Sequence, residues 1–279
     1  MLLLARALIK VLGHCRRYQP QRPTFGSVRR WLNQFDAGER DGVVALLDHV
    51  IFISENDLRH GLARHNEILL RRLAASGIAP THVIYVQMAD AGSSSGSVLR
   101  MLRDDCNLQL RGCKLIDGTN AIELGRLTKA LGRGAIIYVD DFSGTGNQLA
   151  RARSALAPAI TGVFSEWFLV GCACEEAIHR LGRDGVEPIT PKVHTRAERP
   201  LHTFGSGLDD AAKAALLRLS ETISGGKGHG LGYQRMATMV VLEWNTPNTV
   251  PMILRGNEGQ VPYVGIFPRT TDREQPPAL

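Results

Sequence analysis

The chain has 279 residues, 44% apolar and 22% charged, which is enough to bury a full core in one large domain and excludes a disordered chain. Its net charge of +6 rests on 27 Arg and only 6 Lys; guanidinium groups suit phosphate-bearing partners, although a GC-rich genome produces the same bias, and no dense arginine run with interleaved aromatics marks a surface that reads nucleic acid directly. The five cysteines, at positions 15, 106, 113, 172 and 174, are odd in number and irregular in spacing, which excludes a disulfide framework and suits a reducing cytoplasm.

Residues 1–12 begin as an apolar run, but Arg6 and Lys10 interrupt it and no charged segment precedes it, so a short amphipathic helix or a partner-docking arm fits better than a signal peptide. No window approaches the roughly 18 apolar residues of a membrane span. Residues 16–26, with Pro20 and Pro23, read as a linker that closes an arm over 1–27. From 28 to 78 the apolar residues fall at helical spacing: Trp31, Leu32 and Phe35, then Val43, Val44, Leu46 and Leu47, then Leu58, Leu62, Ile68, Leu69, Leu70 and Leu73. His60 and His65 lie five apart in this section, off the spacing that puts two imidazoles on one helical face, and read as surface histidines.

Pro80 ends the helical section, and an α/β region extends from 80 to 269. His82 to Met88 reads as the first central strand, followed by a small-residue loop from Ala89 to Ser97 and a helix from Val98 to Asp105. A short strand at 113–116, a helix at 121–131 and a strand from Ile136 come next. After a helix at 149–157 come a strand at 162–172, a helix at 175–181 and a strand at 188–194. Cys172 and Cys174 alternate at the end of an apolar run and complete no zinc spacing, so they read as core. Asp209 to Ile223 is helical, Met236 to Glu243 a strand, and 270–279 a flexible tail. The glycine stretch 225–232 is either a mobile hood or a connector. Alternating strands and helices call for an α/β fold with a mostly parallel central sheet flanked by helices, behind a helical N-terminal section.

The chemistry concentrates at residues 136–148, Ile-Ile-Tyr-Val-Asp-Asp-Phe-Ser-Gly-Thr-Gly-Asn-Gln. Four apolar residues have the β-branched character of a strand buried on both faces, and open α/β sheets bind ligands at the carboxyl ends of such strands. Asp140 and Asp141, one facing each side of the strand end, can accept hydrogen bonds from two ribose hydroxyls. Gly144 and Gly146 allow close backbone approach, so amides and the Ser143 and Thr145 hydroxyls can form a phosphate nest. The same residues also make a solvated strand-to-helix turn. No P-loop order or nucleophile elbow occurs elsewhere.

This segment resembles the phosphoribosyl pyrophosphate loop of phosphoribosyltransferases: an apolar run, two acids, two spacers, then small hydroxyl residues and glycine. The resemblance implies ribose binding and catalysis at Asp140 and Asp141, phosphate binding by Ser143, Gly144, Thr145, Gly146, Asn147 and Gln148, and a Mg²⁺ ion near Asp140. Asn147 and Gln148 depart from the small residue and Thr or Ser usual there. By the same resemblance, the loop at Asp90, Gly92, Ser94, Ser95 and Gly96 would hold pyrophosphate through its amides. That loop contains no Lys or Arg from Ala89 to Leu99, and a plain Ser/Gly connector is its rival.

A wider likeness spans roughly 28–269 and adds Trp31-Leu32-Asn33-Gln34-Phe35, Glu243-Trp244-Asn245-Thr246-Pro247-Asn248 and Phe267-Pro268-Arg269. In this respect the chain resembles the divergent phosphoribosyltransferase-like proteins of bacterial conflict and anti-phage systems, including some retron cassettes. That implies a phosphoribosyltransferase-like fold and a nucleotide-modifying effector partnered by a reverse transcriptase and its small DNA or another defence subunit. A non-catalytic nucleotide-sensing or assembly subunit is the alternative. Glu243, Asn245 and Asn248 are candidates to read a base or close over the site, against the plainer reading of a turn with a core aromatic.

Overall fold

The computed structural model describes residues 2–88, 94–116, 120–256 and 263–269. The chain divides into two units: Met1–Glu55 with Thr195–Leu279, and Asn56–His194.

The first unit opens with α1 (Leu2–His14), α2 (Phe25–Leu32) and α3 (Arg40–Leu46), then β1 (Ile51–Ile53). Ala7 and Val11 of α1, with Cys15 and Tyr18 after it, are buried in the unit's apolar core, so these residues are packed structure. Thr24 starts α2 with a capping box shared with Ser27, the arrangement that satisfies two otherwise orphan amides. Trp31 and Phe35 stack edge to face with centroids 5.5 Å apart, and the Trp31 indole donates to the Ile253 carbonyl at 2.9 Å.

The second unit begins along α4 (Glu55–Ala75), whose Leu58, Leu62, Leu69, Leu70 and Leu73 form its buried stripe. It continues with β2 (Val83–Gln87), α5 (Ser94–Asp105), β3 (Lys114–Ile116), α6 (Ala121–Leu131) and β4 (Arg133–Ser143). After these come α7 (Asn147–Leu156), β5 (Val163–Cys174), α8 (Glu175–Arg183), β6 (Glu187–Ile189) and β7 (Lys192–His194). The sheet runs β3-β2-β4-β5-β6, with β7 also on β5, and every pairing within it is parallel. Helices cover both faces. Ile84, Val86, Ile136, Tyr138, Phe168 and Val170 pack with Leu124 of α6, Leu149 and Leu156 of α7 and Leu181 of α8. On the opposite face the Tyr85 hydroxyl donates to Asn66 of α4 at 2.5 Å. Gly134 to Asp141 of β4 are all buried, as a central parallel strand requires.

The first unit then resumes with α9 (Asp210–Ile223), capped by the Asp209 carboxylate, β8 (Val240–Leu242) and α10 (Met252–Arg255). β8 pairs in parallel with β1, Ile51 opposite Val240.

Some elements differ from the sequence expectation, each for a local reason. β1 lies inside the section read as helical, because three apolar residues show no period and their partner is far along the chain. The strand expected over 236–243 shrinks to Val240–Leu242, since Gln234, Arg235 and Ala237 take positive φ values that extended backbone does not allow. The strand expected over 188–194 splits into β6 and β7 around Pro191, which has no amide to donate to the ladder. No helix among the described residues is long and apolar enough to cross a membrane.

Candidate functional site

The acid pair sits at the carboxyl end of β4, where that strand still holds its place beside β5: Asp140 is opposite Val170 and Phe142 opposite Cys172. Gly171 lies between those partners, and its missing side chain sets the geometry. A Cβ there would stand 2.7 Å from the Asp141 carbonyl oxygen and 1.9 Å from Cδ1 of Leu58, so only glycine lets α4 and the acid-bearing backbone close on this point.

Asp140 and Asp141 are 2% and 5% exposed, which makes their charge costly. Burial, with the adjacent Asp141 charge and a hydrogen bond between the two carboxyls, pushes the Asp140 pKa well above the usual carboxylate value. The Asp141 amide donates to Asp140 Oδ1 at 3.0 Å and the Ser94 hydroxyl donates to it at 3.2 Å; both oppose the rise without cancelling it. The two acids, expected to face opposite sides of the strand, thus hydrogen-bond to each other, which favours the protonated form of Asp140. Such a pair is poised to give up that proton when a cation or a set of hydroxyl donors arrives.

The turn after the pair is built for close approach. Ser143 is buried and still paired with β5, Gly144 and Thr145 are half-buried, and Gly146 takes φ +73 immediately before α7. The Asn147 amide donates to Thr145 Oγ1 at 3.3 Å, and no side chain caps the helix start. Gln148 is exposed on the first turn. The helix is braced from behind: Arg153 makes two 2.8 Å bonds to the Glu166 carboxylate and a third to the Asp184 carbonyl.

Of the second candidate loop, Asp90 and Gly92 lie outside the described residues. Ser94, Ser95 and Gly96 form the first turn of α5, which starts four residues earlier than the apolar pattern suggests. Ser95 is fully buried, and Gly96 lies under the Gln87 carboxamide, 3.0 Å separating Gln87 Oε1 from the place a Cβ would take. Ser94 is the residue that joins this turn to Asp140. Arg100, the next basic residue in sequence, donates to Ser97 at 3.0 Å.

Glu243, Asn245 and Asn248 belong to the first unit. Glu243 Oε2 accepts the Glu55 amide at 2.8 Å and its carbonyl accepts the Gln19 amide at 2.7 Å. Its side chain lines a cavity of about 350 Å³ with Arg16, Arg17, Gln19 and Arg22. Asn245 Oδ1 accepts the Thr246 amide at 2.9 Å, and the Asn248 carbonyl accepts the Tyr233 amide at 2.8 Å. Thr246 is buried against the Tyr18 hydroxyl at 2.9 Å, and Phe267 is buried in the same unit's core.

Two residues beside the acid loop escaped the sequence reading. Gln87 is a buried carboxamide at the end of β2, in register with Val139, one residue before the pair; a polar residue closing an apolar strand was the available signal. Arg180 on α8 donates to Asn147 Oδ1 at the start of α7, and nothing in its local sequence indicates that contact. Among the described residues no group of three or more His, Cys, Asp or Glu could hold a metal by itself, and Cys172 and Cys174 are buried in β5 outside any disulfide.

Residues 28–269 match the protein family described as PRTase-CE. Among solved structures, the orotate phosphoribosyltransferase from Aeropyrum pernix is similar at 17% identity, over 45% of this chain and 66% of that protein, with a TM-score of 0.30. No curated protein matches the sequence.

Proposed function

Since the chain belongs to the PRTase-CE family, we propose that the end of β4 binds a ribose 5-phosphate compound, phosphoribosyl pyrophosphate or a related nucleotide, and that the protein transfers the phosphoribosyl group. The observation that carries this reading is the buried Asp140–Asp141 pair followed directly by the turn into α7, whose N-cap Gly146 has no side chain. Two carboxyls side by side offer acceptors to vicinal ribose hydroxyls, and the following turn offers amides and hydroxyls to the 5-phosphate. In the reaction, the bond from ribose C1 to the leaving pyrophosphate breaks with its electron pair, and an acceptor nucleophile forms the new bond. The transition state resembles an oxocarbenium ion. The side chains here then act by fixing the ribose and stabilising charge rather than by forming a covalent intermediate.

The donor set fits Mg²⁺, which is commonly held through one or two carboxylates together with substrate phosphates and water instead of a cage made only of protein. Asp140 and Asp141 would hold it, and it would supply charge neutralisation at the pyrophosphate. Ser94, which donates to Asp140, would orient the carboxyl.

Incubating the protein with labelled phosphoribosyl pyrophosphate and Mg²⁺ tests this: binding and pyrophosphate release are expected, and absence of binding overturns it. The absence of Lys and Arg from Ala89 to Leu99 favours a second reading, a ligand sensor without turnover, in which binding occurs and no pyrophosphate is released. A role in anti-phage defence beside a reverse transcriptase and its small DNA extends the proposal. It rests on the resemblance to conflict-system proteins and is tested by phage challenge of cells carrying the gene cluster with and without Asp140→Asn.

A further inference from the structure

The geometry points to Arg180 as the charged arm of the phosphate site: its guanidinium, held in place by Asn147, binds the phosphate monoester of the ligand that settles in the turn from Ser143 to Asn147. This inference rests on the ribose 5-phosphate reading above and adds to it a residue and a charge. It also gives a reason for the asparagine at a position where small residues are usual in the resembling loops.

Four observations within the second unit converge. Arg180 Nη1 donates to Asn147 Oδ1 although the two residues are 33 apart in sequence, and Asn147 is the first residue of α7. The arm reaches that point across Gly146: a Cβ there would lie 3.5 Å from Arg180 Cδ and 3.5 Å from Leu181 Cγ. The left-handed φ of +73 at Gly146 thus serves both the turn and the packing of the arginine stem over it. The N-cap Gly146 has no side chain to cap α7, and beyond the Asn147 amide, which donates to Thr145, the first-turn amides point outward, toward the end at which the guanidinium is fastened.

The fourth observation concerns charge. A guanidinium fixed by a carboxylate would have its charge neutralised, and a carboxylate at 147 would repel a phosphate. The carboxamide of Asn147 holds Arg180 by a neutral acceptor and leaves the positive charge available. Asp184 offers little competition, since Arg180 Nε lies 3.9 Å from its Oδ2 with the two side chains 38% and 43% exposed. Nor is the contact needed to join α7 to its surroundings, because Arg153 already ties that helix to Glu166 and to the Asp184 carbonyl. Planar guanidinium donors match phosphate oxygens in pairs, which is the use that remains for Arg180.

The test measures binding of ribose 5-phosphate and of phosphoribosyl pyrophosphate with Mg²⁺ to the full chain and to R180Q, R180K, N147A and D184N, with folding followed by circular dichroism and melting. Loss of one charge-assisted phosphate contact predicts that R180Q binds ribose 5-phosphate on the order of 10- to 100-fold more weakly, with a shallower dependence of affinity on salt. R180K should recover part of the affinity, N147A should lose about threefold, because the charge remains but is no longer held, and D184N should stay within about twofold. If wild type binds and R180Q binds equally well, or if R180K does no better than a folded R180Q, the inference is overturned and the ribose 5-phosphate reading stands. Should R180Q fail to fold, unchanged affinity in both R180K and N147A overturns it. If wild type binds neither compound, both readings fall.

Discussion

β4 carries two acids close to its carboxyl end and β8 is followed at once by another, and the two places differ. In β4, two carboxyls are 2% and 5% exposed, burial and the neighbouring acid raise the Asp140 pKa, and the strand leads into a helix whose N-cap is Gly146. After β8, Glu243 is committed to structure: its carboxylate accepts the Glu55 amide at 2.8 Å and its carbonyl accepts Gln19. The residues around Glu243 are similarly occupied, Thr246 with Tyr18 and Asn245 with the next amide. A half-buried acid whose oxygens satisfy backbone amides is scaffolding; a buried acid held against its ordinary ionisation is a store of binding energy for whatever neutralises it. Distinctive sequence occurs at both strand ends, so distinctiveness alone does not separate the two.

Removing both carboxyls of the β4 pair should have the largest effect. The double substitution Asp140→Asn, Asp141→Asn is expected to weaken binding of phosphoribosyl pyrophosphate on the order of 100-fold or more, measured by calorimetry, while the melting temperature holds or rises because a costly buried acid is gone. Unchanged affinity would sink the contrast between the two strand ends. Gly171→Ala should come next, lowering stability by about 1–3 kcal/mol in denaturant titrations, since the added methyl must displace Leu58 or the Asp141 carbonyl. Binding should fall with it, because the displaced backbone is the one that carries the acid.

The pH dependence sharpens the same comparison. In the unfolded chain Asp140 ionises near about pH 4, whereas in the folded protein its pKa is well above that. The unfolded state therefore loses its proton first, so the Asp140 contribution to stability is full below about pH 4 and is lost as pH rises toward the elevated folded value. Thermal melts of ligand-free protein across that range should show the decline, and Asp140→Asn should remove it. The smallest effect is expected at the other strand end: Glu243→Gln should cost about 1 kcal/mol of stability through a weakened bond to the Glu55 amide, with affinity for phosphoribosyl pyrophosphate little changed. A marked loss of affinity there would extend the site to this residue.

Much of the second unit was legible in advance. The alternation of apolar runs and helical patterns from 82 to 181 corresponds to β2 through α8, and α6 spans Ala121–Leu131 as its periodicity suggests. Short elements were not legible: β1 is three residues long and has meaning only opposite β8, and the start of α5 among serines and a glycine depends on Gln87 packing above Gly96. The conformation of Ala237, with φ +47, shortened β8 although its neighbours are apolar and β-branched.

By itself the sequence determined what lies within one local run: a strand buried on both faces, two adjacent acids, and a turn of small residues opening a helix, all between 136 and 148. Covalent order brings those groups together whatever the rest of the chain does. Only the tertiary structure decided that Ser94, 46 residues away, meets Asp140, that Gly171 opens room for Leu58 beside Asp141, and that Arg180 reaches Asn147. Those meetings depend on strand register and on how crossover helices pack against a twisted sheet, and both are settled by burial summed over the whole unit rather than by the preference of any short segment.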